Sequence, residues 1–217
     1  MQGNLAAMVW RSPEGKTPSD RDSNASADLL MQARQGDPAA FETLLEQHKQ
    51  RVFGVAWRLL GQAEDARDVC QEVFLRLYRS LHRIDPERPL AAWIYRVTVN
   101  VCRDHGRRRA SRNLVPLEGS QAEHSPSSPA DDPARRAVAR EEQRIVAAGL
   151  AQLGSKERAA LVLRDVEGLS TDEVAEILGS SPQTVRSQIC HARLKLAKHR
   201  RSCFEHRPKE ENHRELP

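Results

Sequence analysis

Between Leu169 and Arg201 the chain spells two helices and the turn that joins them. Ser170 stands three residues before Glu173, the reciprocal capping pattern that opens a helix, and Val174, Ile177 and Leu178 follow as apolar positions. Gly179 ends that helix, because glycine takes the left-handed conformation of a tight exit at little cost. Ser181 and Pro182 restart the chain as N-cap and first helical residue. Val185, Ile189, Ala192 and Leu196 then return to one face at helical spacing. Two helices across a three-residue Gly-Ser-Ser turn predict a helix-turn-helix. From Arg186 to Arg201 there are six Lys or Arg residues and no acid, a charge suited to a groove lined by phosphates.

Helical periodicity also governs the first half. Asp28 is expected to cap a short helix through Leu29, Leu30 and Ala33, closed by Gly36. Asp37-Pro38 opens a longer one whose inward positions are Phe41, Leu44, Leu45, Val52, Val55, Ala56 and Leu59, ended by Gly61. The next, about Ala63 to Leu81, turns Ala66, Val69, Cys70, Val73, Phe74 and Leu77 inward. Glu64, Asp65, Asp68 and Glu72 occupy its first half, and Arg76, Arg79, His82 and Arg83 its end. That order follows the helix dipole. Four acids on one face would also repel DNA and could seat a basic protein surface. A proline-punctuated loop, Ile84–Pro89, precedes a helix from Leu90 to about Arg109. There Trp93 and Tyr95 read as core aromatics or as stacking platforms for unpaired bases, with spacing favouring the core for Trp93. Arg96–Arg112 holds six arginines against one acid, and two separated basic patches suit two contacts on one long polyanion.

Residues 113–134 change character, with four prolines, several serines and the acids Glu118, Glu123, Asp131 and Asp132, but no Lys or Arg. Such a segment is expected to be a flexible linker. Residues 1–27 read as a disordered extension and 203–217 as a polar tail. A helix of about Arg135–Leu153 leads to another over Lys156–Val166, with Ser155 as its expected cap. No alternating strand pattern occurs. The expected fold is all-α: two small helical domains, 28–112 and 135–202, joined by a flexible acidic linker, the C-terminal one a helix-turn-helix.

Several function classes are disfavoured. No apolar run reaches the length a bilayer needs, and residues 1–27 lack a secretory pattern, so no membrane insertion and a cytoplasmic location are expected. Cys70, Cys102, Cys190 and Cys203 form no CxxC pair and read as reduced thiols, with Cys190 expected to be buried or inert. His199, Cys203 and His206 lie close in sequence, but their spacing matches no metal pattern, and neither metal nor other cofactor is expected. There is no phosphate-cradling GxxxxGK[ST] loop and no nucleophile with a positioned base, so no catalytic residues and no enzyme activity are expected.

The succession AEDARDVCQEVFLRLYRSL (Ala63–Leu81), WIYRVTVNVCRDHGRRR (Trp93–Arg109) and LRDVEGLSTDEVAEILGSSPQTVRSQICHAR (Leu163–Arg193) resembles bacterial sigma factors of the extracytoplasmic-function (ECF) group, within the sigma-70 family. The resemblance implies a subunit that binds core RNA polymerase, recognises promoter DNA at minus-ten and minus-thirty-five elements, and melts it. It also implies an anti-sigma partner. By position it implies polymerase contacts at Asp65, Asp68, Gln71 and Glu72. Minus-ten contacts are implied at Ile84, Asp85, Arg88, Arg96, Asn100, Arg103, Asp104 and Arg107. Minus-thirty-five contacts are implied at Arg164, Thr184, Arg186, Ser187, Gln188, Cys190, His191 and Arg193. The loop Ile84–Pro89 would receive a flipped base, and the linker would thread toward the polymerase cleft. Gly154 stands where the family usually has proline, and Gln188 and His191 replace frequent arginines, which should weaken phosphate binding. The rival readings are a stand-alone helix-turn-helix regulator and a polymerase-binding adaptor that reads no DNA.

Overall fold

The computed structural model describes residues 20–112 and 144–205, and every regular element among them is helical. The first bundle contains α1 (Asp20–Arg34), α2 (Pro38–Leu60), α3 (Ala63–Ser80) with a 3-10 turn at Leu81–Arg83, and α4 (Leu90–Arg112). The second contains α5 (residues 144–151), α6 (Ser155–Leu161) running into a π-helical turn at Val162–Val166, α7 (Thr171–Leu178) and α8 (Pro182–Glu205). Residues 1–19, 113–143 and 206–217 lie outside the described residues, and with them the expected linker and the first part of the helix expected from about Arg135. His206, and with it the full His199, Cys203 and His206 set, therefore lies outside them too.

Local chemistry sets the boundaries. Asp37 opens α2 by accepting from the backbone N–H groups of Ala39 and Ala40, at 2.9 and 3.3 Å. Gly61 closes it at φ 79°, its N–H reaching the Trp57 carbonyl at 2.7 Å. On α3 the expected inward residues Ala66, Val69, Val73 and Leu77 are completely buried, against Leu44, Val52 and Ala56 of α2 and Ile94, Val101 and Cys102 of α4. Burial raises the thiol of Cys70 to about 11 and that of Cys102 to about 12, so both are inert.

Three boundaries differ from expectation. The first helix begins at Asp20, which places Asp28 inside it rather than at its cap. The cause is tertiary: Ser26 is buried and its hydroxyl faces Gln47 Oε1 of α2 at 3.4 Å, so the helix is held upstream of the local capping signal. At α6, Gly154 rather than Ser155 takes the N-cap position, with extended backbone, and its N–H donates to Glu157 Oε2 at 3.1 Å. The basic helix α4 runs to Arg112, one turn further than its sequence pattern suggested.

The larger difference concerns the two bundles. A flexible linker leaves the relative placement of the two domains open, and the described residues pack the two bundles together. Val55 of α2 and Tyr95 and Val99 of α4 share a buried cluster with Leu163, Val174, Ile177 and Val185 of the second bundle. Helices α4 and α7 run in contact.

Two features of the first bundle generate measurable consequences. Arg34 at the end of α1 donates to the carbonyl of Leu81 at 2.6 Å and to that of Ile84, tying α1 to the root of the Ile84–Pro89 loop. Arg34→Ala should cost about 1–3 kcal/mol in urea unfolding, because it leaves part-buried carbonyls unmet; an unchanged midpoint would remove Arg34 from this role. His48 is buried on α2, and desolvation, helped by Arg51, lowers its pKa from 6.5 to about 4. The unfolded chain then binds the proton more readily, so this stabilisation is complete above pH 6.5 and is lost as pH falls toward 4. Its full size is about 3 kcal/mol. Stability measured from pH 7 to 4 should therefore fall less steeply in His48→Gln than in the wild type.

Candidate nucleic-acid interface

The helix-turn-helix forms as its sequence prescribes. Ser170 Oγ accepts from Glu173 N–H at 3.2 Å while Glu173 Oε2 accepts from Ser170 N–H at 2.6 Å, closing the capping box of α7. Gly179 ends α7 in the left-handed region at φ 61°. Ser181 Oγ accepts from Thr184 N–H at 3.2 Å to start α8. Val185, Ile189 and Ala192 are buried against α6 and α7. The opposite face of α8 presents Arg186, Ser187, Cys190 and His191 to solvent. Cys190 is thus exposed, which removes burial from the two alternatives of a buried or an inert thiol.

Other residues assigned to the upstream element do structural work. Thr184 shares a 2.8 Å hydroxyl pair with Ser181 at the helix start. Arg193 forms a two-pronged pair with Asp165, at 2.9 and 2.6 Å, which ties α8 to the π-helical turn. Arg164 donates to the Leu169 carbonyl at 3.0 Å and shapes the entry to α7. Gln188 is half-buried, with Oε1 enclosed and facing no hydrogen-bond donor among the described residues.

The residues assigned to the minus-ten element lie on α4 and the loop before it. Ile84 is buried in the first core, so it anchors the loop rather than offering a side chain outward. Asp85 accepts from Glu87 N–H at 3.0 Å and pairs with Arg88 at 3.7 Å. Asn100 and Arg107 are exposed, and Asp104 pairs with Arg107, which holds the Asp104 carboxyl below its usual range. Arg88 and Arg96 face the second bundle. They approach Glu176 Oε1 of α7 at 3.7 and 3.4 Å, and Arg96 also donates to the Glu176 carbonyl at 3.2 Å. Arg103 lines a cavity of about 140 Å³ with Lys156, Leu178, Gly179, Ser180 and Gln188. An assigned minus-ten residue and an assigned minus-thirty-five residue therefore share one cleft.

The acidic face of α3 is partly neutralised from within. Asp65 accepts from Arg109 at 2.8 Å and lies 3.8 Å from His105, while Glu72 pairs with Arg76 at 2.7 Å. Asp65, Asp68 and Glu72 line a broad recess of about 730 Å³ with Arg108 and Arg109 of α4. Asp68 and Gln71 stand exposed, followed along the same helix by Leu75 and Tyr78, which are 49% and 63% exposed. Sequence periodicity had placed no weight on Leu75 or Tyr78. Leu75 lies four residues after Gln71 and Tyr78 three after Leu75, so they continue one outward stripe.

The charged groups between the bundles were also unforeseen. Tyr95 is 2% exposed and donates to Glu167 Oε2 at 2.8 Å. Glu167 also lies 3.8 Å from Arg58 and 4.0 Å from Arg51. Burial pushes Glu167 up and Arg58 down, and their mutual attraction opposes both shifts. Arg158 of α6 reaches the Leu59 carbonyl of α2 at 2.6 Å. The one sequence hint was Arg58 itself, an arginine beside Val55, Ala56 and Leu59 in an apolar stretch.

Comparison with known proteins places this architecture. Residues 44–112 match the family model for sigma-70 region 2, and residues 143–196 match that for sigma-70 region 4. The RNA polymerase sigma-H factor of Pseudomonas aeruginosa is 31% identical, over 76% of this chain and 88% of its own length. The sigma factor CnrH of Cupriavidus metallidurans is 34% identical, over 80% of this chain and 93% of its own. The solved structure of CnrH in complex with the cytosolic domain of CnrY superposes with a TM-score of 0.61 at 29% identity, over 82% of this chain and 98% of that one. Similarity at this level, through both helical bundles, shows that the chain belongs to the sigma-70 family, in its extracytoplasmic-function group.

Proposed function

We propose that the chain is a dissociable initiation subunit that binds core RNA polymerase through α3, reads and melts the minus-ten element through α4 and its preceding loop, and holds the minus-thirty-five element through α8. The observation that carries this reading is the outward stripe Asp68, Gln71, Leu75 and Tyr78. Acids repel a phosphate backbone, and large exposed apolar side chains beside them suit a protein surface rather than DNA. The basic residues lie elsewhere, on the end of α4 and along α8, so the chain has separate faces for protein and for polyanion. A stand-alone regulator would have no use for the α3 stripe, and an adaptor would have none for the exposed Arg186 and Ser187.

The mechanism needs no bond chemistry from the chain. Each domain alone makes few phosphate contacts, and Gln188 and His191 supply fewer cations than a fully basic recognition helix. Held by polymerase at a fixed separation, both domains engage one DNA molecule, and the second contact benefits from the effective concentration set by the first. Strand opening draws on binding energy, through exposed Asn100 and the loop rooted on Ile84 and Arg34. Both partners, polymerase and promoter, put the chain in the cytoplasm, and no helix among the described residues is long and apolar enough to cross a membrane. The likeness to CnrH, solved with the cytosolic domain of CnrY, supports a regulatory protein partner for this chain as well.

Replacing Asp68 and Glu72 together with lysine should abolish capture of core polymerase in a pull-down while leaving helical circular dichroism unchanged. Undiminished capture would remove α3 from the interface. Asn100→Ala should leave closed promoter binding intact and reduce permanganate reactivity of the melted region by about tenfold, the range of one lost base contact; equal reactivity would contradict the role of α4 in opening.

A further inference from the structure

We propose that Arg34 of α1 is the positioning residue of the base-receiving loop Ile84–Pro89, aiming that loop so that a base leaving the duplex is captured. The inference rests on the role in strand opening argued above for the loop, and names the residue outside it that sets its direction. Arg34 stands upstream of the segment matched to sigma-70 region 2, residues 44–112.

The loop is stiff within itself. Asp85 Oδ1 accepts from Glu87 N–H at 3.0 Å, and the Asp85 carbonyl accepts from Arg88 N–H at 3.3 Å. Pro86 and Pro89 fix two of its φ angles and remove two backbone donors. Pro86 also restricts Asp85 before it to extended backbone. Leu81, Ile84 and Leu90 are buried in the first core, so both ends of the segment are anchored. A short stiff loop on anchored ends takes its direction from the peptide at its root. That root is Ile84, where the chain leaves the 3-10 turn at φ −76° and ψ 128°.

The last carbonyls of a helical turn have no partner within it and need an outside donor. Arg34 supplies one to each of two such groups: Nε donates to the Leu81 carbonyl at 2.6 Å, and Nη2 donates to the Ile84 carbonyl. The donors of a guanidinium lie in one rigid plane, so the pair fixes two peptide orientations relative to each other. The Ile84 carbonyl belongs to the peptide that leads into Asp85, hence to the start of the loop. Arg34 is held in turn by the body of the bundle. It is the last residue of α1, whose Leu30 and Ala33 are buried and which packs on α2, α4 and the 3-10 turn. Nη1 lies 3.6 Å from Met31 Sδ on the same helix. With Nε, Nη1 and Nη2 all directed to protein atoms, Arg34 acts on DNA through the loop rather than by touching it.

A residue that only adds stability lowers every function together, whereas one that aims the loop acts at a single base. The test reconstitutes core polymerase with the full chain and measures binding of a fluorescein-labelled single strand, the non-template minus-ten sequence of a selected promoter, by anisotropy. Abasic sites replace each position in turn. With the wild type, the abasic site at the captured position should weaken binding about tenfold, the size of one lost base contact. Arg34→Ala should reduce that one penalty to about twofold or less and leave the penalties at other positions unchanged, the signature of coupling between the residue and that base. Arg34→Lys keeps the charge without the planar fork and should lose the same penalty, which preserves the test if the alanine variant does not fold. Ser26→Ala, which loosens α1 at its contact with Gln47 instead, should keep the penalty in full. A folded Arg34 variant that retains the tenfold penalty, or one that lowers the penalties at all positions alike, would overturn the proposal and leave the functional reading standing. If the wild type shows no such penalty at any position, base capture by the loop fails, and this inference falls with it.

Discussion

A helix with apolar residues on more than one face cannot be satisfied by a single bundle, and α4 is such a helix. Ile94, Val101 and Cys102 bury against α2 and α3, whereas Tyr95 and Val99 look to the other side and enter the second core. Separating the two bundles would expose Tyr95, Val99 and Val55 on one surface and part of the α6–α7 core on the other. At roughly 25 cal/mol per Å² of apolar surface, each fully exposed Val or Tyr costs on the order of 2 kcal/mol. Helix α4 therefore belongs to both cores, and any separation of the bundles would have to offset an exposure of that size.

The charges in this seam refine the same constraint. A buried Glu167 beside a buried Arg58 is a weak source of net stability, because the desolvation of both groups offsets their attraction. What such a pair does supply is a penalty for misplacement: shift the bundles and each ion is left without its partner inside an apolar wall. Tyr95 adds a directional hydrogen bond from the first bundle to that carboxylate. The seam therefore has one well-defined register and is still only modestly strong, the combination a reversible contact requires. On the outer surface the logic differs. Asp65, Glu72 and Asp104 are tied to Arg109, Arg76 and Arg107, which shapes the α3–α4 recess without emptying it of negative charge.

Local structure was readable from residues because local chemistry decides it. Ser170 with Glu173, Asp37, Gly61 and Gly179 each act within four residues, and all appear where the sequence placed them. The buried face of α3 followed from its period. The start of α1 was missed because Ser26 is held by Gln47, a partner 21 positions away that no window could show. The packing of one bundle on the other was missed for the same reason on a larger scale: Tyr95 and Glu167 are 72 positions apart, and each looks ordinary in its own segment. Among the site residues, Arg186, Ser187 and Asn100 lie open to solvent as a reading role requires. Arg193, Arg164 and Thr184 also brace the helix-turn-helix, an internal role that a charge or hydroxyl on a basic helix does not reveal from sequence.

The most direct measurement of the central claim is run-off transcription reconstituted from core RNA polymerase, this chain and genomic fragments selected for binding the pair. The chain should convert a polymerase that starts nowhere in particular into one that yields discrete transcripts, each beginning a fixed distance downstream of the selected elements. Transcripts that require a second sigma factor, or that arise equally well without the chain, would contradict it.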